Sequence, residues 1–255
     1  MEEFLSDGVR LAYIDVAPTG DDLGEPILLV HGFASTHAVN WVFPHWVKLL
    51  TQSGRRVIAF DNRGHGRSDK LYDPEAYRLP VLAADALALL DHLGLERADV
   101  MGYSMGARIA AFLAKSHPRR TRSIILGGLG SHLVDGAGLP EGIAEAMEAP
   151  AADELTDPTQ KMFRSFAEAT KSDLKALAAC IRGARQTLSE AEIGAIAVPA
   201  LVAIGTKDKI AGDAHRLAAM FPAARAVDIP GRDHNLAVGD KVYKQSVVEF
   251  LQQRP

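Results

Sequence analysis

The sequence has few cysteines and no long apolar run, whereas many cysteines mark disulfide-rich proteins and long apolar runs mark membrane proteins. It contains a single cysteine, Cys180, in 255 residues, so no disulfide can form within it. This is typical of proteins from a reducing compartment. No run of about 18 uncharged apolar residues occurs, and the acidic segment 1–7 lacks the basic residues and apolar run of a secretory signal. We therefore expect a cytoplasmic protein that does not associate with a membrane.

An excess of positive charge is also missing. The formal net charge is −4 at pH 7, and the densest basic stretch, residues 117–122, is short. Because a nucleic-acid partner requires basic residues clustered over a surface, we expect no such partner. The nine histidines are scattered without the paired spacing of metal ligands. The sequence therefore predicts no metal site.

Short apolar runs recur along the chain, and helical patterns lie between them. The proportions of 47% hydrophobic and 24% charged residues are those of a globular protein, and the length suits one large domain. Short, mainly apolar runs suit strands buried on both faces of a parallel sheet. They cover residues 26–30, 56–60, 98–103, 123–126, 200–204 and 225–229. The alternating run 9–16 predicts an antiparallel edge strand, and the whole order predicts an α/β fold with helices on both faces.

One long segment breaks this alternation. Residues 130–198 contain no strand-like run, only helical patterns such as 159–170 and 174–185. A connection of that length either has a function or carries structure of its own. We interpret 130–198 as a small helical cap inserted into a core domain of residues 1–129 and 199–255. The alternative, that it only pads one edge of the sheet, stays open at this point.

The motif with the clearest chemical meaning is Gly102-Tyr103-Ser104-Met105-Gly106, which matches G-x-S-x-G. It ends a strand pattern and begins an Ala-rich helix, which is the setting of a sharp turn that exposes a nucleophile. Side chains at the two glycines would crowd such a turn. We predict Ser104 as the nucleophile. The alternative is an ordinary turn in which the serine caps the helix.

Backbone amides near this serine would form an oxyanion hole. Acyl transfer needs two N–H donors arranged around the developing negative charge. We assign them to Phe33, which follows His31 and Gly32 at the end of the first core strand, and to Met105, the residue after the nucleophile. His31 precedes the turn, and we interpret it as a structural residue rather than a catalytic base.

An acid and a histidine follow the last two apolar runs. Because parallel strands end at the same edge of a sheet, where such folds place their sites, Asp208 and His234 can converge on Ser104. Two other acids precede His234. Asp233 is adjacent to it and should point away, and Asp228 lies within a strand pattern and should stay within the sheet layers. We therefore predict His234 as the base and Asp208 as the acid that orients it.

The segment Asp61-Asn62-Arg63-Gly64-His65-Gly66-Arg67-Ser68 could suggest phosphate binding. It has neither the lysine nor the long glycine-rich stretch of a P-loop. We prefer a structural turn beside the site, with Asp61 and Arg63 fixing the loop.

With these residues identified, the chain resembles the α/β-hydrolase superfamily, in its small-cap bacterial esterase and lactonase-like branch. The matching motifs are His31-Gly32-Phe33, the 61–68 loop, Gly102-Tyr103-Ser104-Met105-Gly106, Asp208 and Asp233-His234. The order serine, acid, histidine is characteristic of the superfamily. The resemblance implies eight mainly parallel strands, a helical cap over the three residues, and no cofactor.

The same comparison of motifs argues against some of the activities found in the superfamily. The superfamily's dehalogenases and many of its epoxide hydrolases use an aspartate nucleophile, whereas this chain has Ser104. The wider glycine-rich oxyanion loop of lipases and of some carbon–carbon bond hydrolases is also absent, since Phe33 follows Gly32.

The predicted activity is hydrolysis of a small or medium carboxylic ester or lactone through an acyl-enzyme on Ser104. Four aromatic residues are predicted to line the substrate pocket: Phe33, Tyr103, Phe163 and Phe166. Two other functions stay open. One is a ligand receptor with slow turnover, and the other is a thioesterase, acyltransferase or lyase that uses the same three residues.

Overall fold

The sheet and helices lie in the part of the chain that the computed structural model describes, residues 1–136, 139 and 142–254. The strands are β1 (Glu2–Ser6), β2 (Val9–Val16), β3 (Ile27–Val30), β4 (Val57–Phe60), β5 (Ala98–Tyr103), β6 (Thr121–Gly127), β7 (Ala200–Gly205) and β8 (Ala224–Ile229). They form one sheet in the order β1-β2-β4-β3-β5-β6-β7-β8. The β1–β2 and β2–β4 pairs are antiparallel and the other pairs are parallel. The predicted α/β fold with an eight-stranded, mainly parallel sheet is confirmed.

The antiparallel edge of the sheet differs from the prediction in one respect. The 9–16 run forms an antiparallel strand as expected, but β1 pairs along its outer side, so β1 is the edge. Asp7 and Gly8 join the two strands with φ angles of 47° and 76°. Positive φ at both positions is typical of a two-residue hairpin turn, and Asp-Gly is a sequence signal for it.

Helices cover both faces of the sheet. They are α1 (Trp46–Gln52), α2 (Leu79–His92), α3 (Met105–Ser116), α4 (His132–Asp135), α5 (Ile143–Glu148), α6 (Pro158–Ala169), α7 (Leu174–Gly183), α8 (Glu190–Gly194), α9 (Ala214–Ala218) and α10 (Lys241–Gln253). Alternate residues of a strand point to opposite faces. In β3, Leu28 and Val30 therefore pack with α2 and α3, whereas Ile27 and Leu29 pack with α1 and α10. None of the described helices is long and apolar enough to cross a membrane.

The described residues between β6 and β7 form helices and no strand. Here α6 and α7 correspond to the predicted patterns 159–170 and 174–185. Helix α5 packs against both of them, and α7 also packs against the short helical turn Pro74–Tyr77 that precedes α2. We call residues 130–198 the inserted segment. Its division from the rest of the chain as a separate cap domain stays a prediction.

The helix that follows β7 is short, although the pattern of residues 211–221 predicts a longer one. It begins at Ala214, where the side chain of Asp213 accepts a hydrogen bond from the amide of Arg216. Just before it, Gly212 has a φ of 80°, a left-handed value that helical backbone does not adopt. The residues ahead of Gly212 are held instead by the carboxylate of Asp208.

Candidate active site

Ser104 occupies a strained turn between β5 and α3. Its φ and ψ are 55° and −114°, a combination that residues with side chains rarely adopt and that is concentrated at functional sites. Its side chain makes no hydrogen bond to the helix it precedes. The structure therefore gives no support to the alternative in which this serine caps the helix.

The two glycines of the motif are required by close backbone contacts. A Cβ atom at Gly102 would overlap the carbonyl group of Gly106, and a Cβ atom at Gly106 would overlap the carbonyl oxygen of Val30. Helix α3 therefore approaches the end of β3 as closely as backbone atoms allow. This approach places the start of α3 beside the loop that carries Phe33.

Asp208, His234 and Ser104 form a continuous chain of hydrogen-bonded side chains. The Oγ atom of Ser104 lies 2.9 Å from Nε2 of His234, and Nδ1 of His234 lies 2.7 Å from Oδ2 of Asp208. His234 and Asp208 follow β8 and β7, which are neighbours in the sheet. The structure thus brings together all three residues that the sequence predicted.

The surroundings of Asp208 favour its ionised form. Burial raises the pKa of this carboxyl group, but the hydrogen bond with His234 and those from the amides of Ile210 and Ala211 outweigh burial. The pKa therefore lies below its ordinary value. An anion at this position stabilises an imidazolium ion on His234.

The two other acids near His234 lie elsewhere. Oδ1 of Asp233 accepts hydrogen bonds from the amides of Asn235 and Leu236, so this side chain fixes the loop. Asp228 lies in β8, opposite Ile204, so it stays in the sheet as expected. Because β8 is the edge strand, Asp228 is exposed and its Oδ2 lies 3.1 Å from Nε2 of His215.

Phe33 and Met105, whose amides are the predicted oxyanion donors, line a cavity together with Ser104. Neither amide donates a hydrogen bond to another described atom, so both are free to bind a ligand. The loop that carries Phe33 is held by the amide of Gly32, which donates to Oδ1 of Asn40 at 2.8 Å. It is also held by the hydroxyl of Thr170, which donates to the carbonyl of Ala34 at 3.0 Å.

His31 and His65 are buried and neither contacts Ser104. The amide of Asn62 donates to Nε2 of His31, so Nδ1 carries the proton and donates to the carbonyl of Gly32. Burial lowers the pKa of His31 to about 4 and that of His65 to about 3. Both rings are therefore neutral at physiological pH, and His31 has the structural position that the sequence suggested.

The 61–68 loop is a buried turn held by its own charged residues. Arg63 forms a two-pronged ion pair with Asp85, at 2.7 Å and 2.6 Å. Asp61 accepts hydrogen bonds from the amide and ring of His37 and from the amide of Arg67. Asp61 and Arg63 therefore fix the loop to its neighbours, which agrees with the structural interpretation.

Two cavities meet at Ser104. The first has a volume of about 30 Å³ and includes Met105 in its wall, so we call it the Met105 pocket. The second has a volume of about 340 Å³ and includes His234, so we call it the His234 pocket. Phe33 and Ser104 line both.

The four aromatic residues predicted for the substrate pocket all line the His234 pocket. Phe163 and Phe166 come from α6, which brings the inserted segment over the site. Tyr103 also positions the base, because its hydroxyl donates to the carbonyl of His234 at 2.6 Å. The sequence interpretation did not include Arg108, Ile181 or Ile210, which line the Met105 pocket.

A family model described as the alpha/beta hydrolase fold matches residues 25–165, more than half of the chain. The chain belongs to the α/β-hydrolase fold family. This membership accounts for the strand order and for a serine placed between a central strand and the following helix.

Individual relatives of this α/β hydrolase differ in activity. It is 35% identical over 118 residues to epoxide hydrolase B of Mycobacterium tuberculosis, a match covering 46% of this chain and 32% of that protein. It is 30% identical over 249 residues to the dihydrolipoyllysine-residue acetyltransferase component of the acetoin cleaving system of Pseudomonas putida, covering 91% and 65%. The chain thus spans 32% to 65% of the length of these curated relatives.

A solved structure covers the chain more fully. The enol-lactonase from Burkholderia xenovorans LB400 superposes with a TM-score of 0.79 at 25% identity, covering 99% of this chain and all of that one. The likeness therefore includes the inserted segment as well as the sheet. Together with the family match, it shows that the chain has the α/β-hydrolase fold over nearly its whole length.

Proposed function

We propose that this hydrolase cleaves a carboxylic ester or lactone through an acyl-enzyme on Ser104. The observation that carries the proposal is the hydrogen-bonded row of Ser104, His234 and Asp208 beside two free backbone amides. A nucleophile, a base, a group that orients the base and donors for an oxyanion are the components of acyl transfer.

In the first half of the proposed reaction, His234 accepts the proton of Ser104 while Oγ attacks the acyl carbonyl carbon. The carbonyl oxygen becomes negative and binds the amides of Phe33 and Met105. The imidazolium of His234, stabilised by Asp208, then donates its proton to the departing alkoxide. In the second half, His234 takes a proton from water, and the resulting hydroxide attacks the acyl carbon. The imidazolium then returns this proton to Oγ of Ser104 as the acid is released, which restores both residues.

The two cavities suggest how a substrate is oriented. The leaving alkoxide must face His234, because His234 supplies its proton. The alcohol part of an ester therefore belongs in the larger His234 pocket, and the acyl part belongs in the Met105 pocket behind the oxyanion donors. This arrangement predicts a short acyl group and a wider choice of alcohols.

The relatives support this reaction to different degrees. The enol-lactonase acts on a cyclic ester by its name, which agrees with acyl transfer at Ser104. The epoxide hydrolase relative matches only 46% of the chain. Because many epoxide hydrolases of the superfamily use an aspartate nucleophile, the serine at position 104 favours ester or lactone hydrolysis.

The test replaces Ser104 with alanine and follows two readouts on folded protein. We expect hydrolysis of a panel of esters, lactones and thioesters to fall on the order of 10⁶-fold. We also expect a fluorophosphonate to modify Ser104 in the wild type and nothing in the variant. Ser116→Ala is the matched control, because Ser116 is exposed at the far end of α3.

Wild-type rates in folded Ser104→Ala, or unchanged labelling, would rule out the assignment. The panel also separates the remaining functions, since a receptor would turn over slowly with every substrate. A thioesterase would favour the thioester.

A further inference from the structure

Arg108 is a buried cation with no part in the reaction described above. It lies in α3, four residues after Ser104. Only 4% of the residue is exposed. It lines the Met105 pocket together with Ser104 and Met105.

The described residues offer this guanidinium group carbonyl oxygens and no carboxylate. Its two terminal nitrogens lie 2.6 Å from the carbonyl of His132, 2.8 Å from that of Gly136 and 3.5 Å from that of Gln186. Burial and the nearby charge of Arg185 lower the pKa of Arg108 to about 10, so the group stays charged at neutral pH. A buried charge is costly unless a counter-charge accompanies it.

Arg108 is the charged residue among those that line the Met105 pocket. Its walls are largely apolar, with Leu129, Leu139, Ile181 and Ile210 among them. The volume of about 30 Å³ has room for about two water molecules, or for one carboxylate at the end of a short chain. Apolar walls with one oriented polar group are the usual arrangement of a specificity pocket.

We propose that the acyl part of the substrate carries a carboxylate, which Arg108 binds. The substrates are then half-esters of short dicarboxylic acids, or lactones with a carboxylate on the acyl portion. An arginine suits this role because its planar fork matches the two oxygens of a carboxylate. The inference rests on the proposed function, which places the acyl part in the Met105 pocket.

The carbonyl contacts of Arg108 also support a purely structural role. They join α3 to the start of the inserted segment and to the loop that follows α7. If Arg108 only braced these loops, its loss would slow every substrate by a similar factor. If it binds a carboxylate, its loss would slow charged substrates more than neutral ones.

The experiment compares matched pairs of substrates on the intact enzyme. The monomethyl esters of succinate, glutarate and adipate are paired with methyl butanoate, pentanoate and hexanoate, and kcat/KM is measured by pH-stat near neutral pH. For at least one chain length, we expect the kcat/KM of the wild type to be about tenfold higher for the charged member of the pair. The reason is that a site built for a polar group rejects substrates that lack it. Absence of any such preference overturns the inference.

Variants then assign the preference to Arg108. Arg108→Gln and Arg108→Met should bring the ratio of charged to neutral kcat/KM close to one. Arg119→Gln is the control, because it removes the same charge from an exposed position beyond the end of α3. This variant should keep the wild-type ratio of charged to neutral kcat/KM. An equal loss on both members of each pair would establish the structural role and overturn the proposal.

A measurement on the wild type covers the case in which the Arg108 variants do not fold. Glutarate should slow fluorophosphonate labelling of Ser104 at concentrations where neutral glutaramide does not, and equal protection overturns the inference. Hydrolysis of neutral esters without a preference for charged ones would refute this inference alone. No hydrolysis and no labelling would refute the proposed function.

Discussion

Replacing Asp208 with asparagine tests the orientation of His234 with almost no change in shape. In the wild type, Oδ1 of Asp208 accepts hydrogen bonds from the amides of Ile210 at 2.8 Å and Ala211 at 3.1 Å, and Oδ2 faces Nδ1 of His234. The asparagine oxygen can take only one of these two positions. Each choice leaves a different set of hydrogen bonds unsatisfied.

If the asparagine oxygen keeps the two backbone donors, its NH₂ group faces His234. Nδ1 must then accept, so the proton moves to Nε2, and the ring can no longer take the proton of Ser104. If the side chain rotates instead, its NH₂ group faces the amides of Ile210 and Ala211, and unpaired buried donors cost about 1–3 kcal/mol each. The first arrangement is therefore favoured, and it holds His234 in the wrong tautomer.

The wrong tautomer reduces turnover about 10⁴-fold in the serine-protease template, which corresponds to about 5.5 kcal/mol of barrier. We expect a loss of several orders of magnitude in kcat for Asp208→Asn, measured with one activated ester at one pH. Asp233→Asn is the matched control, because an asparagine oxygen can still accept from Asn235 and Leu236. We expect it to stay within about tenfold of the wild type. If Asp233→Asn is the more damaging variant, the placement of the acid is wrong, even though the pair of Ser104 and His234 could stand.

Two further predictions concern the pocket and the stability of the fold. Phe166 lines the His234 pocket and is half-buried, unlike Phe163, so Phe166→Ala should shift kcat/KM towards longer alcohol groups and leave the acyl-length preference in place. A shift in acyl preference instead would contradict the assignment of the two pockets. Burial raises the pKa of Asp61, but hydrogen bonds from His37 and Arg67 outweigh it and lower the pKa to about 2. The pKa of an aspartate in the unfolded chain is about 3.9. A carboxyl group whose pKa is lower than this in the folded state stabilises the fold at pH values above about 3.9, and the stabilisation is lost as the pH falls through the folded pKa. Asp61→Asn should therefore reduce the free energy of unfolding in urea by about 2 kcal/mol at pH 7, with the gap to wild type closing between about pH 4 and pH 2, and a constant gap would refute this reasoning.

The three residues of the proposed triad could be found from sequence because each follows shortly after a strand of the parallel part of the sheet. The carboxyl ends of parallel strands share one edge of the sheet, so local patterns around Ser104, Asp208 and His234 were enough to bring them together. The choice of Asp208 over Asp233 also rested on local geometry. None of these steps required knowledge of long-range packing.

The features that were missed depend on packing between distant segments. The exposure of Asp228 was missed because a strand pattern does not say whether the strand lies at the edge of its sheet. Arg108 stands in an Ala-rich helix, and its spacing of four from Ser104 was the only available signal. Its burial depends on the path of the inserted segment, which the sequence describes only as a series of helices.

The close backbone contacts at Gly102 and Gly106 have a consequence for directed evolution. Both proposed oxyanion donors are main-chain atoms, and their spacing depends on an approach of α3 to β3 that a single methyl group would prevent. Libraries that vary residues 102–106 would therefore mostly yield misfolded protein. Libraries at Phe163, Phe166 and Ile181 would change the walls of the two cavities and leave the reacting backbone in place. New substrate ranges are thus most accessible through the inserted segment.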